Sequence, residues 1–204
     1  MDIVESIKRP FSDIKKWIIG CLLMIIPIVN LFSLGYILES ARLSLGKKRD
    51  LPEWDNWGNL FIAGLLNTVI GFIYLLIPGI LLVIALGTLL LSMFSGEGFN
   101  FGALLAAGPL FILAFVLGLF AIYILPSAIL NWVKEDRFGA AFSFGTILKK
   151  AFTGKYFVAW IVGAIINVVV VSILSFIPFV GGAIGSFTGM IISYTLLGEA
   201  VAEL

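Results

Sequence analysis

The stretch Leu51-Pro52-Glu53-Trp54-Asp55-Asn56-Trp57 brings three carboxylates, Asp50, Glu53 and Asp55, beside two indoles at the mouth of a long apolar run. Clustered carboxylates can gather a hard cation. The spacing fits no calcium loop, however, and Lys47, Lys48 and Arg49 stand directly before it as counter-charges. The cluster is therefore read as no metal site. Trp54 and Trp57 lie three residues apart and share one face of a helix or turn. Indole rings favour the headgroup layer, where the ring body and the N–H are both satisfied. Asp55 or Asn56 is placed to cap the helix that begins near Gly58. Trp54, Trp57 and Asp55 are thus expected to form an interfacial anchor and cap.

Little else offers catalytic chemistry. The chain has no histidine and a single cysteine, Cys21, within an apolar run. The commonest general base and every Ser-His or Cys-His arrangement are therefore missing. Phosphate-cradling loops and nucleophile elbows are missing as well. No catalytic residue, metal or cofactor is expected, and the chain is expected not to be an enzyme.

Three other groups of residues attract a functional reading. Asn67 and Asn167 are the chief polar groups in apolar segments, and they suit either a ligand-facing spot or a bond between helices. Gly181, Gly185, Gly189 and Ser193 recur every four residues, which lays a small-residue groove along one helix face for a second helix of this chain or of another copy. Lys149, Lys150 and Lys155 flank the stripe Phe138, Phe142, Leu148, Phe152, a pattern that suits an interfacial elbow helix and anionic lipid headgroups.

The elements that carry these residues follow from composition. Of 204 residues, 61% are hydrophobic and 12% charged. A soluble fold of this length could not hide so much apolar surface, so the solvent must be lipid. A net charge of +1 gives no electrostatic reason for a nucleic-acid partner. In residues 1–16 Ile3, Ile7, Phe11 and Ile14 recur at helical spacing with Lys8, Arg9, Lys15 and Lys16 among them, and the segment reads as an amphipathic surface element. Apolar runs at 17–38, 60–94, 101–125, 157–177 and 183–198 approach the ~20 residues of a membrane helix. Pro78-Gly79 is expected to divide the second of them. The expected fold is an all-α, polytopic membrane bundle of six helices with amphipathic elbows.

Two sequence matches suggest two related three-helix units, 17–95 and 101–204. "YILESARL" (36–43) matches "YILPSAIL" (123–130), and "LLNTVIGFIYLLIP" (65–78) resembles "IINVVVVSILSFIP" (165–178). Three crossings per unit would invert one half relative to the other, a plan that many transporters share. All thirteen Lys and Arg fall in patches at 8–16, 42–49 and 134–155. Six crossings with a cytoplasmic N-terminus put nine of them inside and four outside. A rival scheme gathers all three patches in the cytoplasm. It needs a re-entrant first segment and a single crossing by 60–94.

The segment "GYILESARLSLGKKRDLPEWDNWGNLFIAGL" resembles the signature of the family called domain of unknown function 4013, through Gly35, Tyr36, Leu51, Pro52, Asp55, Trp57, Gly58, Leu60 and Phe61. "AAFSFGTIL" (140–148) is similar to that family's second loop, with Ser143 where an acid is common. The resemblance implies a prokaryotic multi-pass membrane protein and implies no activity. Two functions are carried forward. One is a small transporter or permease-like protein for a neutral or apolar solute. The other is a non-enzymatic structural or assembly component that binds lipid or a partner membrane protein, with a homo-oligomer included. Either would sit in the cell membrane with its N-terminus in the cytoplasm.

Overall fold

A computed structural model describes residues 2–94 and 101–204. The charge-poor loop at 95–100 lies outside the described residues. The described chain is helical: α1 (Ile3–Lys8), a 3-10 turn (Arg9–Ser12), α2 (Ile14–Ile25), α3 (Asn30–Leu45), α4 (Trp57–Phe94), α5 (Phe101–Glu135), a second 3-10 turn (Phe138–Phe142), α6 (Phe144–Ala151), α7 (Gly154–Leu174) and α8 (Gly181–Ala202). Four of these, α4, α5, α7 and α8, are long and apolar enough to cross a membrane. Large apolar side chains face outward along three of them, with Phe72 66%, Phe115 66% and Val168 64% exposed. Water would penalise such a surface heavily, whereas hydrocarbon does not.

The six membrane helices expected from sequence give way to these four, for two reasons. First, α4 runs unbroken for 38 residues with Pro78 inside it. Proline deletes one backbone donor, yet membrane helices tolerate it because no water competes for the remaining bonds. Second, the run at 17–38 is divided at Pro27 into α2 and α3. At 12 and 16 residues they rise only about 18 and 24 Å, short of the ~30 Å hydrocarbon core.

The chain forms two compact units. One joins Met1–Val69 to Pro126–Leu204, and the other is Ile70–Leu125. In the second unit Ala107, Ala114 and Ala121 recur every seventh residue of α5 and are buried. A β-carbon on Gly118 there would lie 3.8 Å from Cβ of Pro78. Small residues at such spacing let helices approach closely where lipid supplies no hydrophobic drive.

The first unit is built on two helical hairpins, α2–α3 and α7–α8. Their turns share a sequence pattern: Ile26-Pro27-Ile28-Val29 and Ile177-Pro178-Phe179-Val180. Ile28 and Phe179 both adopt positive φ, 71° and 68°, a conformation that non-glycine residues rarely take. Proline halts one helix and the left-handed residue turns the chain into the next. This pairing differs from the one read from sequence. Pro78 sits within α4, whereas Pro178 follows the end of α7, so the 65–78 and 165–178 segments have different settings. In the YIL segments Ser40 and Ala41 of α3 and Ser127 and Ala128 of α5 are all buried. Beside Pro126, the Ser127 N–H donates to the Tyr156 hydroxyl at 3.1 Å.

Helix α8 is largely buried and packs on α3, α2 and α7. Its small residues meet α7. A β-carbon on Gly185 would lie 2.7 Å from Cα of Val171, and one on Gly189 3.0 Å from Cγ of Asn167. Gly181 abuts the Leu174 carbonyl, and Ser193 Oγ donates to the Gly163 carbonyl at 2.9 Å.

Candidate functional site

The chemistry-bearing residues gather where the N-terminal segment, the end of α3, the 46–56 loop and the end of α8 meet. At the centre is Arg9, 3% exposed. The 3-10 turn places it there, with Pro10 at a position where a missing N–H costs nothing. All five guanidinium donors are used. Nε donates to the Arg49 carbonyl at 2.9 Å. Nη1 donates to the Ser44 hydroxyl and to Thr195 Oγ1, the latter at 2.7 Å. Nη2 donates to the carbonyls of Ser40 and Asp50, both at 3.0 Å. Every acceptor is a neutral oxygen. Burial therefore lowers the Arg9 pKa to about 10, partly offset by the fields of Tyr36, Glu199 and Asp50, and the group remains a cation at neutral pH.

Ion pairs around Arg9 complete the charge balance. Arg49 Nε donates to Glu199 Oε1 at 2.9 Å, and Arg49 Nη2 forms an ion pair with the same oxygen at 2.9 Å. The Asp2 N–H reaches Glu199 Oε2 at 3.2 Å. A carboxylate at a helix C-terminus opposes the helix dipole, and Arg49 supplies the compensation. One helical turn later Glu203 pairs with Lys155 at 3.0 Å. The Lys155 ammonium, through its hydrogen bond first and its charge second, holds the Glu203 carboxyl below its usual range.

The aromatic residues of the loop turn inward. Tyr36 is fully buried, donates to the Pro52 carbonyl at 2.9 Å and stacks on Trp54 with ring centroids 4.0 Å apart. Trp54 in turn stacks against Trp57 at 5.5 Å, and its indole N–H donates to the Lys16 carbonyl at 3.1 Å. Trp54 thus finds its polar partner within the protein, while Trp57 stays 42% exposed. Asp55 Oδ1 accepts the Asn56 N–H at 2.7 Å just before α4 begins. Lys16 donates to Glu53 at 2.7 Å and to the Leu51 carbonyl at 3.2 Å. Glu53 and Asp55 therefore serve local contacts through their carboxylates and Asp50 through its carbonyl, and no cluster of three or more metal-ligating side chains occurs among the described residues.

These bonds also draw the basic patches together. Arg42 pairs with Asp136 at 2.9 Å, Arg49 with Glu199, Lys16 with Glu53, and Lys155 with Glu203. All three patches thus meet at one end of the first unit. The scheme that puts nine basic residues inside and four outside does not survive this linkage, because Arg42 and Asp136 would need to face opposite sides.

The other expected residues fall elsewhere. Asn167 packs against Gly189, as described above. Asn67 Oδ1 is enclosed without a hydrogen-bond partner, and no hydrogen bond joins the two asparagines. Lys150 donates to Asn131 Oδ1 at 2.6 Å, and Asn131 donates to the Ala140 carbonyl at 2.8 Å. Burial, then the charge of Lys134, lowers the Lys150 pKa. Lys149 is exposed. The stripe drawn through Phe138, Phe142, Leu148 and Phe152 is split at Ser143, between the 3-10 turn and α6. Ile147 and Ala151 face the interior instead, and Phe152 is exposed.

Sequence reasoning missed Arg9, which reads locally as one more charge on an amphipathic segment. The available signal was on its partners. Ser44 near the end of α3 and Thr195 in α8 are hydroxyls set among apolar residues, and both accept from Arg9.

No curated protein and no solved structure matches this chain. A family model described as "Protein of unknown function (DUF4013)" matches residues 18–179. That span contains Gly35, Tyr36, Pro52 and Trp57, whose contacts hold the loop in place, and the chain belongs to the DUF4013 family.

Proposed function

We propose that this chain is a non-enzymatic component of the cell membrane that binds lipid or a partner membrane protein. In this reading α4, α5, α7 and α8 cross the bilayer, the short α2–α3 hairpin enters and returns, and both termini face the cytoplasm. The observation that carries it is the gathering of all three basic patches at one end of the first unit by the ion pairs of Arg42, Arg49, Lys16 and Lys155. Basic residues on one side of a membrane protein mark the cytoplasmic side. The carboxylates near that end serve ion pairs, caps and loop contacts, which supports a binding role over a catalytic one.

A second reading, a transporter or permease-like protein for a neutral or apolar solute, draws on one observation, the unpartnered Asn67 Oδ1. Against it, Asn167 is packed on the backbone of α8 at Gly189. The two readings separate on a protein carrying both Asn67→Leu and Asn167→Leu. The binding-component reading expects no glycerol or urea flux above that of empty liposomes for the unaltered protein. It also expects the variant to insert and stay folded within about 2 kcal/mol, the upper range for polar bonds between helices in lipid. Flux by the unaltered protein that the double variant abolishes would establish the transporter reading instead.

A further inference from the structure

Within the first unit a groove of about 800 Å3 opens between α3, residues 52–56, the first turns of α4 and the end of α5. Its two ends differ in chemistry. The mouth carries Glu39, Glu53, Asp55 and Asp136 with one base, Arg42. Arg42 is shared between Glu39 at 3.4 Å and Asp136 at 2.9 Å. Lys16 holds Glu53. Asp55 has no basic partner among the described residues. Four carboxylates against two cations leave a negative excess at the mouth.

The floor is apolar. Leu60, Ala63 and Leu66 of α4 line it, with Trp132 of α5 beside them. Beyond the polar Asn56 and Asn59, the apolar lining follows α4 from Leu60 to Leu66 for about 9 Å, at the helical rise of 1.5 Å per residue. A cavity that is negative at the polar end and hydrocarbon-like along its length complements one kind of molecule. Its occupant must carry positive charge at one end and apolar atoms behind it, because an anionic head would meet uncompensated carboxylates at close range. A bare cation would leave the apolar floor to water.

We propose that this groove binds an amphiphile with an ammonium head on a hydrocarbon tail, head at the Asp55–Asp136 mouth and tail along Leu60, Ala63 and Leu66. The proposal rests on the binding-component reading and names its ligand class. The ammonium belongs either to an amine-bearing bilayer lipid or to a soluble alkylamine.

The test uses the full chain in a nonionic detergent micelle and a fluorescent alkylammonium probe. Dodecylamine should displace the probe at least about tenfold more effectively than dodecyl sulfate, which has the same tail and the opposite charge. Propylamine, with the head and little tail, should displace it poorly. Neutralising the mouth with Glu39→Gln and Asp55→Asn should erase the preference for the amine. Ala63→Phe, which fills the floor without touching a charge, should weaken binding of the probe and keeps the test decisive if the neutralised protein fails to fold. In nanodiscs, competition by phosphatidylethanolamine but not phosphatidylcholine assigns the site to a bilayer lipid, and competition by dodecylamine alone assigns it to a soluble amine. Both outcomes support the proposal. Equal displacement by dodecyl sulfate, or a preference that survives neutralisation, overturns it. So does displacement by oligolysine but not by dodecylamine, which would assign the groove to a basic protein segment. Failure here with no solute flux in liposomes refutes the groove and leaves the binding-component reading standing.

Discussion

Arg9→Met should lower the stability of the detergent-solubilised protein by about 3–5 kcal/mol, because several buried oxygens lose a charged donor at once and each such loss costs about 1–3 kcal/mol. Methionine preserves most of the apolar stem. It leaves five oxygens, from Ser40, Ser44, Arg49, Asp50 and Thr195, facing a group that donates nothing. Two of these residues are 35 and 186 positions away in sequence, so the loss is felt across α1, α3, the loop and α8 together. Arg9→Lys should fall between. It keeps the charge but offers three donors in a compact head where a planar fork of five is held. Arg9→Ala should lose as much as Arg9→Met and regain stability when free guanidinium is added well below denaturing concentrations, because the vacated oxygens are arranged for that ion. Thermal unfolding of the set, with and without guanidinium, is the measurement. An Arg9→Met protein as stable as the parent would mean that the N-terminal segment merely rests on the unit.

Gly64→Val should be nearly as damaging. A β-carbon at Gly64 would overlap the Leu31 carbonyl, and one at Gly35 would overlap the Leu60 carbonyl. The pair is reciprocal, Leu31 and Gly35 on α3 against Leu60 and Gly64 on α4. Backbone meets backbone at both points, so neither neighbour can swing aside as a side chain would. Overpacking commonly costs about 1–3 kcal/mol, and this crossing should sit at or above the top of that range. Forcing α3 away from α4 would also separate Phe32 from Trp57 and Phe61, rings now 5.5 and 5.2 Å apart. Tryptophan emission should then shift to the red. Gly58→Val is the control, since nothing lies within 4 Å of a β-carbon there. Equal stability of the Gly64 and Gly58 variants would contradict the close crossing.

Membrane character was legible from composition, and the small-residue face of α8 from its four-residue spacing, because both depend on patterns local to one segment. The start of α4 at Trp57 lies one residue before the expected Gly58, although the Asp55 carboxylate bonds the Asn56 N–H ahead of the helix rather than an N–H of its first turn. The continuity of α4 through Pro78 was not legible, since proline breaks helices in water far more readily than in lipid. Pro27 and Pro178 do end helices. The added signal was the Ile-Pro-x-Val sequence that both turns share. The Arg9 site was hidden for a different reason. Its five oxygens come from three separate places in the chain, α3, the 46–56 loop and α8, and three of the five are main-chain carbonyls that no residue type announces. The Gly35-Tyr36 and Leu51-Pro52 signature was visible as a motif, but its purpose was not. It seats Tyr36 under Trp54 and lets α3 meet α4 at Gly35, contacts that exist only once the helices are crossed.

One charged face and four crossings make an arrangement that labelling can read directly. Single cysteines at Lys47, Lys149, Glu203 and Ser175, each in a Cys21→Ser background, can be labelled in sealed, oriented vesicles with a membrane-impermeant maleimide. Lys47, Lys149 and Glu203 should react from the same side and Ser175 from the opposite side or only weakly. Labelling of Lys47 from the side opposite Lys149 would contradict the account directly, since it would separate basic patches that the structure joins.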